Sequence, residues 1–239
     1  MSHAAALVLD LDGTLYRGDA PLLAYAEAMA DRAGPARGDA LVAKARAFLA
    51  DPLDFAPYRD PWAVMGAFGG EAGLSWPRRD DAFLDVRNAV IRGEIPIDRT
   101  QGLEAFIAGL DRRVRIAVLT NSEEESARRL LGFLGLASLA AHTHGVVGKP
   151  KGFAAAARRS LIGLSPAQAV SVGDNHTNDI EPARALGLGT LHVRWPGARG
   201  GLAEHTVARF EDGFEWLDRR LEAALRGWRP AAGEEEAWA

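Results

Sequence analysis

The run Ala5–Leu9 is continuously apolar and stops abruptly at Asp10, Asp12 and Gly13, the pattern of a strand buried on both faces. Three further short runs look alike: Val114–Leu119, Ala169–Val172 and Gly189–Val193. Helical patterns separate them, at Gly102–Leu110, Glu123–Leu134, Gly152–Leu161 and Asp179–Leu186. Strand then helix, repeated, predicts parallel βαβ units with right-handed crossovers. The expected fold is α/β, a doubly wound, Rossmann-like parallel sheet. Thr206–Phe210 and Phe214–Leu225 are expected to add one more strand and helix.

The alternation breaks between Pro21 and Gly93. Helical patterns occur there at Leu22–Arg32, Asp39–Ala50 and Asp81–Arg92, with no convincing strand. The stretch DPLDFAPYRDPW between the second and third is dense in proline and aspartate and reads as loop. A smaller α-helical cap domain over residues 19–97 is therefore expected, inserted into a core made of 1–18 and 98–239. Trp62, Trp76 and Phe83 are expected in the cap's own core. The tail from Pro230 to Ala239 is expected to fray.

Composition excludes several classes of function. The net charge is −4 and the pI about 5.9, so no general attraction to nucleic acid or acidic membranes is expected. There are no cysteines, which removes disulfides, thiolate metal sites and a cysteine nucleophile together. No apolar run approaches the roughly 18–20 residues that span a bilayer. The N-terminal apolar stretch lacks a basic region before it and ends in acids, so it reads as a strand, and a soluble cytoplasmic protein is expected.

In an open parallel sheet, ligands bind beyond the carboxyl ends of the strands. At those ends this sequence places Asp10 and Asp12, then Thr120, Asn121 and Ser122, then Asp174 with Asp179 five residues on. Lys149 lies in the loop before the helix at Gly152. Crowded carboxylates repel unless a cation sits among them, and an oxygen-only donor set suits a hard ion such as magnesium. Residues two apart on a strand share a face, so Asp10 and Asp12 can address one reacting centre. One can attack while the other donates a proton, as in phosphoryl transfer through an aspartyl-phosphate.

The segments VLDLDGTLY, VLTNS, GKP and SVGDNHTNDI, in this order, resemble the four motifs of the haloacid dehalogenase superfamily of phosphatases, over roughly residues 5–20 and 100–193. The resemblance implies that Asp10 is the nucleophile and Asp12 the general acid and base. It makes Thr120 the phosphate-binding hydroxyl, helped by the Asn121 backbone N–H, and Lys149 the lysine that steadies nucleophile and phosphate. Lys149 is preferred to Lys151 because it stands directly before Pro150. A magnesium ion (Mg2+) would be held by the Asp10 side chain, the Asp12 backbone carbonyl, Asp174 and Asp179. The superfamily's carbon–halogen hydrolases lack an aspartate at the position of Asp12, so dehalogenation is disfavoured. The implied function is a magnesium-dependent phosphatase acting on a small soluble phosphate monoester. A sugar phosphomutase or a non-catalytic binding member of the fold are the alternatives.

Several residues carry plainer expectations. Ser122 with Glu125 fits a helix capping box, which makes Ser122 structural. His142 and His144 share a face of a possible strand without a third ligand. Tyr16–Asp19 and Ile97–Gly102 are expected to act as hinges under the cap. Arg59, beside Tyr58 in the cap loop, is the candidate for reading an anionic or hydroxyl-rich leaving group.

Overall fold

A computed structural model describes residues 3–227. Its centre is a six-stranded, wholly parallel sheet formed by β1 (Ala5–Leu9), β4 (Val114–Leu119), β5 (Thr143–His144), β6 (Ala169–Gly173), β7 (Gly189–Val193) and β8 (His205–Val207). The spatial order is β5-β4-β1-β6-β7-β8. The chain therefore leaves β1 towards one edge and returns to build the other, which puts the topological switch beside the end of β1.

Alternation along β1 explains why it is apolar throughout. Ala5, Leu7 and Leu9 face a cluster completed by helices α6 (Glu124–Phe133) and α9 (Phe214–Gly227). Ala6 and Val8 face the other side, against α7 (Phe153–Ser160) and α8 (Glu181–Ala185). A polar residue anywhere in the run would be desolvated without a partner. Together with α5 (Leu103–Gly109), these helices make the doubly wound layer structure.

Four helices follow β1: α1 (Asp19–Ala33), α2 (Pro35–Ala50), α3 (Pro61–Glu71) and α4 (Trp76–Ile91). They bury a separate apolar cluster that includes Met29, Leu41, Phe48, Met65 and Phe68. Burial on this scale contributes about 1.5–3 kcal/mol per large side chain. Helix α3 was not expected. Pro61, Gly66, Gly69 and Gly70 dilute its apolar periodicity, yet Pro61 sits in the first turn, where its missing N–H costs nothing. The same rule moves α2 and α4 earlier than expected, with Pro35 and Pro77 in their first turns. Trp76 corrects another expectation: it is 69% exposed and is not cap core.

Two chain crossings join this insert to the sheet. Tyr16–Arg17 (β2) and Asp98–Arg99 (β3) pair as a short antiparallel ribbon, so the two expected hinge segments meet each other. A second junction lies beyond β7. There Ala198 is wholly buried in the insert's cluster, the Tyr58 hydroxyl donates to the Pro196 carbonyl, and the Arg199 N–H donates to the Tyr58 carbonyl at 2.5 Å. The last expected strand is shorter, His205–Val207, because residues 210–213 turn as a 3₁₀ helix. Residues 230–239 lie outside the described residues. Among the described residues no helix is long and apolar enough to cross a membrane.

Candidate active site

A cavity of about 590 Å³ separates the carboxyl ends of the sheet strands from the helical insert. Asp10, Asp12, Thr120, Asn121, Lys149, Asp174 and Asp179 all line it. The backbone brings them there: Asp10 continues the ladder past β1, its N–H donating to the Val172 carbonyl at 2.9 Å. Gly13 then turns with φ +86°, and a Cβ on it would lie 2.1 Å from Asp174 Oδ2. Glycine at this position is what lets Asp174 approach the Asp10–Gly13 loop.

Lys149 is buried at the centre. Its Nζ donates to Asp10 Oδ1 and to Asp179 Oδ1, each at 2.6 Å, whereas Lys151 is exposed. Burial pulls the ammonium pKa down, but Asp10 and Asp179 together carry it above its usual value. The loop that presents Lys149 is clamped by Asn121, whose Oδ1 accepts from the Lys149 N–H at 2.7 Å and whose Nδ2 donates to its carbonyl at 3.2 Å. Thr120 is buried, and its Oγ1 accepts from the Ser122 N–H at 3.0 Å.

Asp10 and Asp12 stand two residues apart in opposite electrostatic settings. Burial raises the Asp10 pKa; Lys149 offsets part of that rise, and the Asp12 charge adds to it. Asp12 is half-buried, and although burial raises its pKa too, the Arg87 charge and hydrogen bonds from Tyr16, Ser122 and Arg87 hold it below the usual carboxylate range. Tyr16 Oη and Ser122 Oγ each donate to Asp12 at 2.7 Å, and the Arg87 guanidinium forms an ion pair with it. Thr120 Oγ1 reaches the same carboxylate at 3.5 Å.

Arg87 comes from α4 and was missed. The signal was present: Phe83, Val86, Arg87 and Val90 share one helix face, and a charge within an apolar stripe needs a buried partner. Ser122 corrects a second expectation. Helix α6 has no side-chain cap bond: its N-cap is Glu123, one residue further on, and the Ser122 hydroxyl donates to Asp12 instead. Asp60 and Trp195 were also missed. Asp60 caps α3 through the Ala63 N–H at 2.7 Å and accepts from Asn175 Nδ2 at 2.5 Å, while Trp195 Nε1 donates to Asp174 Oδ2 at 3.0 Å. Arg59 is exposed and lines the cavity, but the neighbouring Tyr58 hydroxyl is used on Pro196.

Asp10, Asp174 and Asp179 can each offer an oxygen to one point, all within 4.8 Å of one another. Burial drives the Asp174 carboxyl well above its usual range, with Asp60, Asp10 and Asp179 adding to it. Burial likewise raises Asp179 to about 7, against the pull of Lys149. Carboxyls this costly to ionise beside a single lysine fit a hard divalent cation, and the all-oxygen donor set fits magnesium. No histidine or cysteine joins the cluster, so the donor set is a poor match for zinc.

The match that decides the family covers most of the chain: a model described as haloacid dehalogenase-like hydrolase fits residues 4–187. The chain belongs to the haloacid dehalogenase-like hydrolases. Solved structures share this hydrolase's fold at low identity. YfnB from Bacillus subtilis, a putative HAD-hydrolase bound to magnesium, has a TM-score of 0.60 at 15% identity and covers 91% of this chain and 100% of its own. The haloacid dehalogenase-like protein ATU0790 from Agrobacterium tumefaciens has a TM-score of 0.59 at 19% identity, covering 90% and 98%. L-2-haloacid dehalogenase from Xanthobacter autotrophicus has a TM-score of 0.55 at 17%, covering 91% and 99%. Among curated proteins no sequence matches significantly.

Proposed function

We propose that this hydrolase is a magnesium-dependent phosphatase of small phosphate monoesters, acting through a phosphoryl group carried on Asp10. The observation that supports this most directly is the pair of acids, Asp10 on Lys149 and Asp12 on Arg87, facing one cavity. Asp10 attacks phosphorus as the ester P–O bond breaks, and the leaving oxygen takes a proton from Asp12 and departs as the alcohol. Water then attacks the phosphoryl group, Asp12 takes its proton, and inorganic phosphate leaves with Asp10 restored.

Lys149 neutralises charge on Asp10 and on the transferring oxygens, and Thr120 offers its hydroxyl to the same oxygens. Asp10, Asp174 and Asp179, with the Asp12 backbone carbonyl, would hold Mg2+, which supplies further charge neutralisation at the phosphoryl group. The Arg87 pair favours the anion of Asp12, the form needed for the water step. Carbon–halogen cleavage expels a halide that needs no proton, which would leave Asp12 without its task as acid.

The test is release of phosphate from acetyl phosphate and a panel of phosphometabolites, with magnesium and with chelator. Phosphate release that requires magnesium is expected. Chloride release from 2-chloropropionate, without phosphate release from any ester, would overturn the reading.

A further inference from the structure

The wall of the cavity opposite the reacting carboxylates is aromatic. Phe83 from α4 packs edge to face with Tyr25 from α1 and Trp62 from α3, which are tilted by 45° to each other, with ring centroids 5.2–6.1 Å apart. Between them, α3 turns Ala63, Gly66 and Ala67 towards the cavity, residues at helical spacing that leave depth rather than fill it. A Cβ on Gly66 would meet only the Tyr25 hydroxyl, at 3.9 Å. Trp76 stands exposed at the rim, with the Arg79 guanidinium 5.2 Å from its ring centre.

Two polar groups on this wall have capacity to spare. Tyr25 is only 6% exposed, and burial pushes its hydroxyl up to about 12, with no hydrogen bond among the influences upon it. Arg79 spends Nη1 on the Gly66 carbonyl at 2.7 Å, but its buried Nε has no partner. Both remain donors. A leaving group rich in hydroxyls would lose water against these rings and regain few hydrogen bonds. A flat ring would bury its faces and edges against them, and an acceptor on its edge would meet the Tyr25 hydroxyl.

We infer that the natural substrate is a phosphate monoester whose leaving group carries a planar aromatic ring with a hydrogen-bond acceptor on its edge, seated against Tyr25, Trp62 and Phe83. This inference rests on the phosphatase reading. Nucleoside 5'-phosphates and heteroaryl-alkyl phosphates share this chemistry. In either case the ring departs on the alcohol while the phosphoryl group passes to Asp10.

Matched pairs of substrates separate ring recognition from leaving-group reactivity. The full-length protein with magnesium is assayed on 2-(pyridin-2-yl)ethyl phosphate against ethyl phosphate, and on adenosine 5'-phosphate against ribose 5-phosphate, with acetyl phosphate as a ring-free control. In at least one pair, kcat/KM should be tenfold or more higher for the ring-bearing member, and the pair that shows it names the source. Gly66→Val, which fills the wall, should reduce that ratio at least fivefold. Tyr25→Phe, which keeps the ring and removes one donor, should reduce it about threefold through KM with kcat retained. Ratios near one in both pairs, with acetyl phosphate hydrolysed, would overturn this inference and leave the phosphatase reading intact. A preference unchanged in both variants would also overturn it. Failure to release phosphate even from acetyl phosphate would remove the phosphatase reading, and this inference with it.

Discussion

Asp10, Asp12, Thr120, Lys149 and Asp174 each stand at a strand end or in the loop that follows, whereas Tyr25, Trp62, Phe83 and Arg87 come from three separate helices of the insert. On the sheet side, position is set by the backbone: strand register and a left-handed glycine fix where each carboxyl points. On the insert side, position is set by side-chain packing, which tolerates exchange more readily. The sheet edge therefore suits unvarying chemistry, and the insert suits selection among leaving groups. Arg87 crosses this division, because a residue of the insert governs a carboxyl of the sheet.

The largest expected effect lies wholly on the sheet side. Asp10→Asn should lower kcat for every substrate alike, by ~10⁴-fold or more, because an amide cannot take the phosphoryl group. A loss confined to some substrates would break the division between chemistry and selection.

Arg87→Met tests the crossing. It leaves the half-buried Asp12 with Tyr16 and Ser122 but without its countercharge, a change that costs about 3 kcal/mol in stability by chemical denaturation. In an Asp12→Asn background the same substitution should cost markedly less, since the charge it balances is gone. Equal costs in both backgrounds would mean that Arg87 serves the insert alone.

Magnesium should stabilise the protein by about 2.7 kcal/mol at a hundredfold excess over its Kd, and the gain should grow with pH. The sign follows from Asp179, raised to about 7 when folded against 3.8 as its ordinary value, with Asp10 and Asp174 raised as well. Between these values the metal-free fold binds more protons than the unfolded chain, so its stability falls as pH rises through the window. The cation removes that penalty. His192 is lowered to about 4 by burial, but it acts in both states and cancels in the difference. Melting temperatures with and without magnesium at pH 5, 6 and 7.5 should diverge upwards.

The smallest effects belong to the insert loop. Arg59→Ala should cut activity by roughly tenfold, about 1.4 kcal/mol, only on substrates with an anionic leaving group. Tyr58→Phe removes one bond to Pro196 and should cost about 1 kcal/mol of stability with little change in kcat.

How much of this was legible in the sequence follows the same division. The strands, their order of use and the carboxylates at their ends are sequence-local, so short motifs carry them. Boundaries in the insert were harder, because Pro35, Pro61 and Pro77 look like breakers while serving as first-turn residues. Helix α3 was lost to its glycines, of which Gly66 lines the cavity and Gly69 lets Met29 approach, a Cβ there lying 2.4 Å from its sulfur. The partners of Asp12 illustrate the remaining limit. Tyr16 lies four residues away on a turn, but Arg87 is 75 positions distant, and no local pattern names the carboxyl it meets.

The claim on which all else rests is that Asp10 carries the phosphoryl group. Protein mixed with acetyl phosphate and magnesium, quenched in acid within milliseconds to seconds and digested, should yield a peptide spanning Asp10 heavier by one phosphoryl group. The modified peptide should accumulate in Asp12→Asn, where water lacks its base, and be absent in Asp10→Asn. Steady release of phosphate with no modified Asp10 at any quench time, and undiminished in Asp10→Asn, would contradict the account.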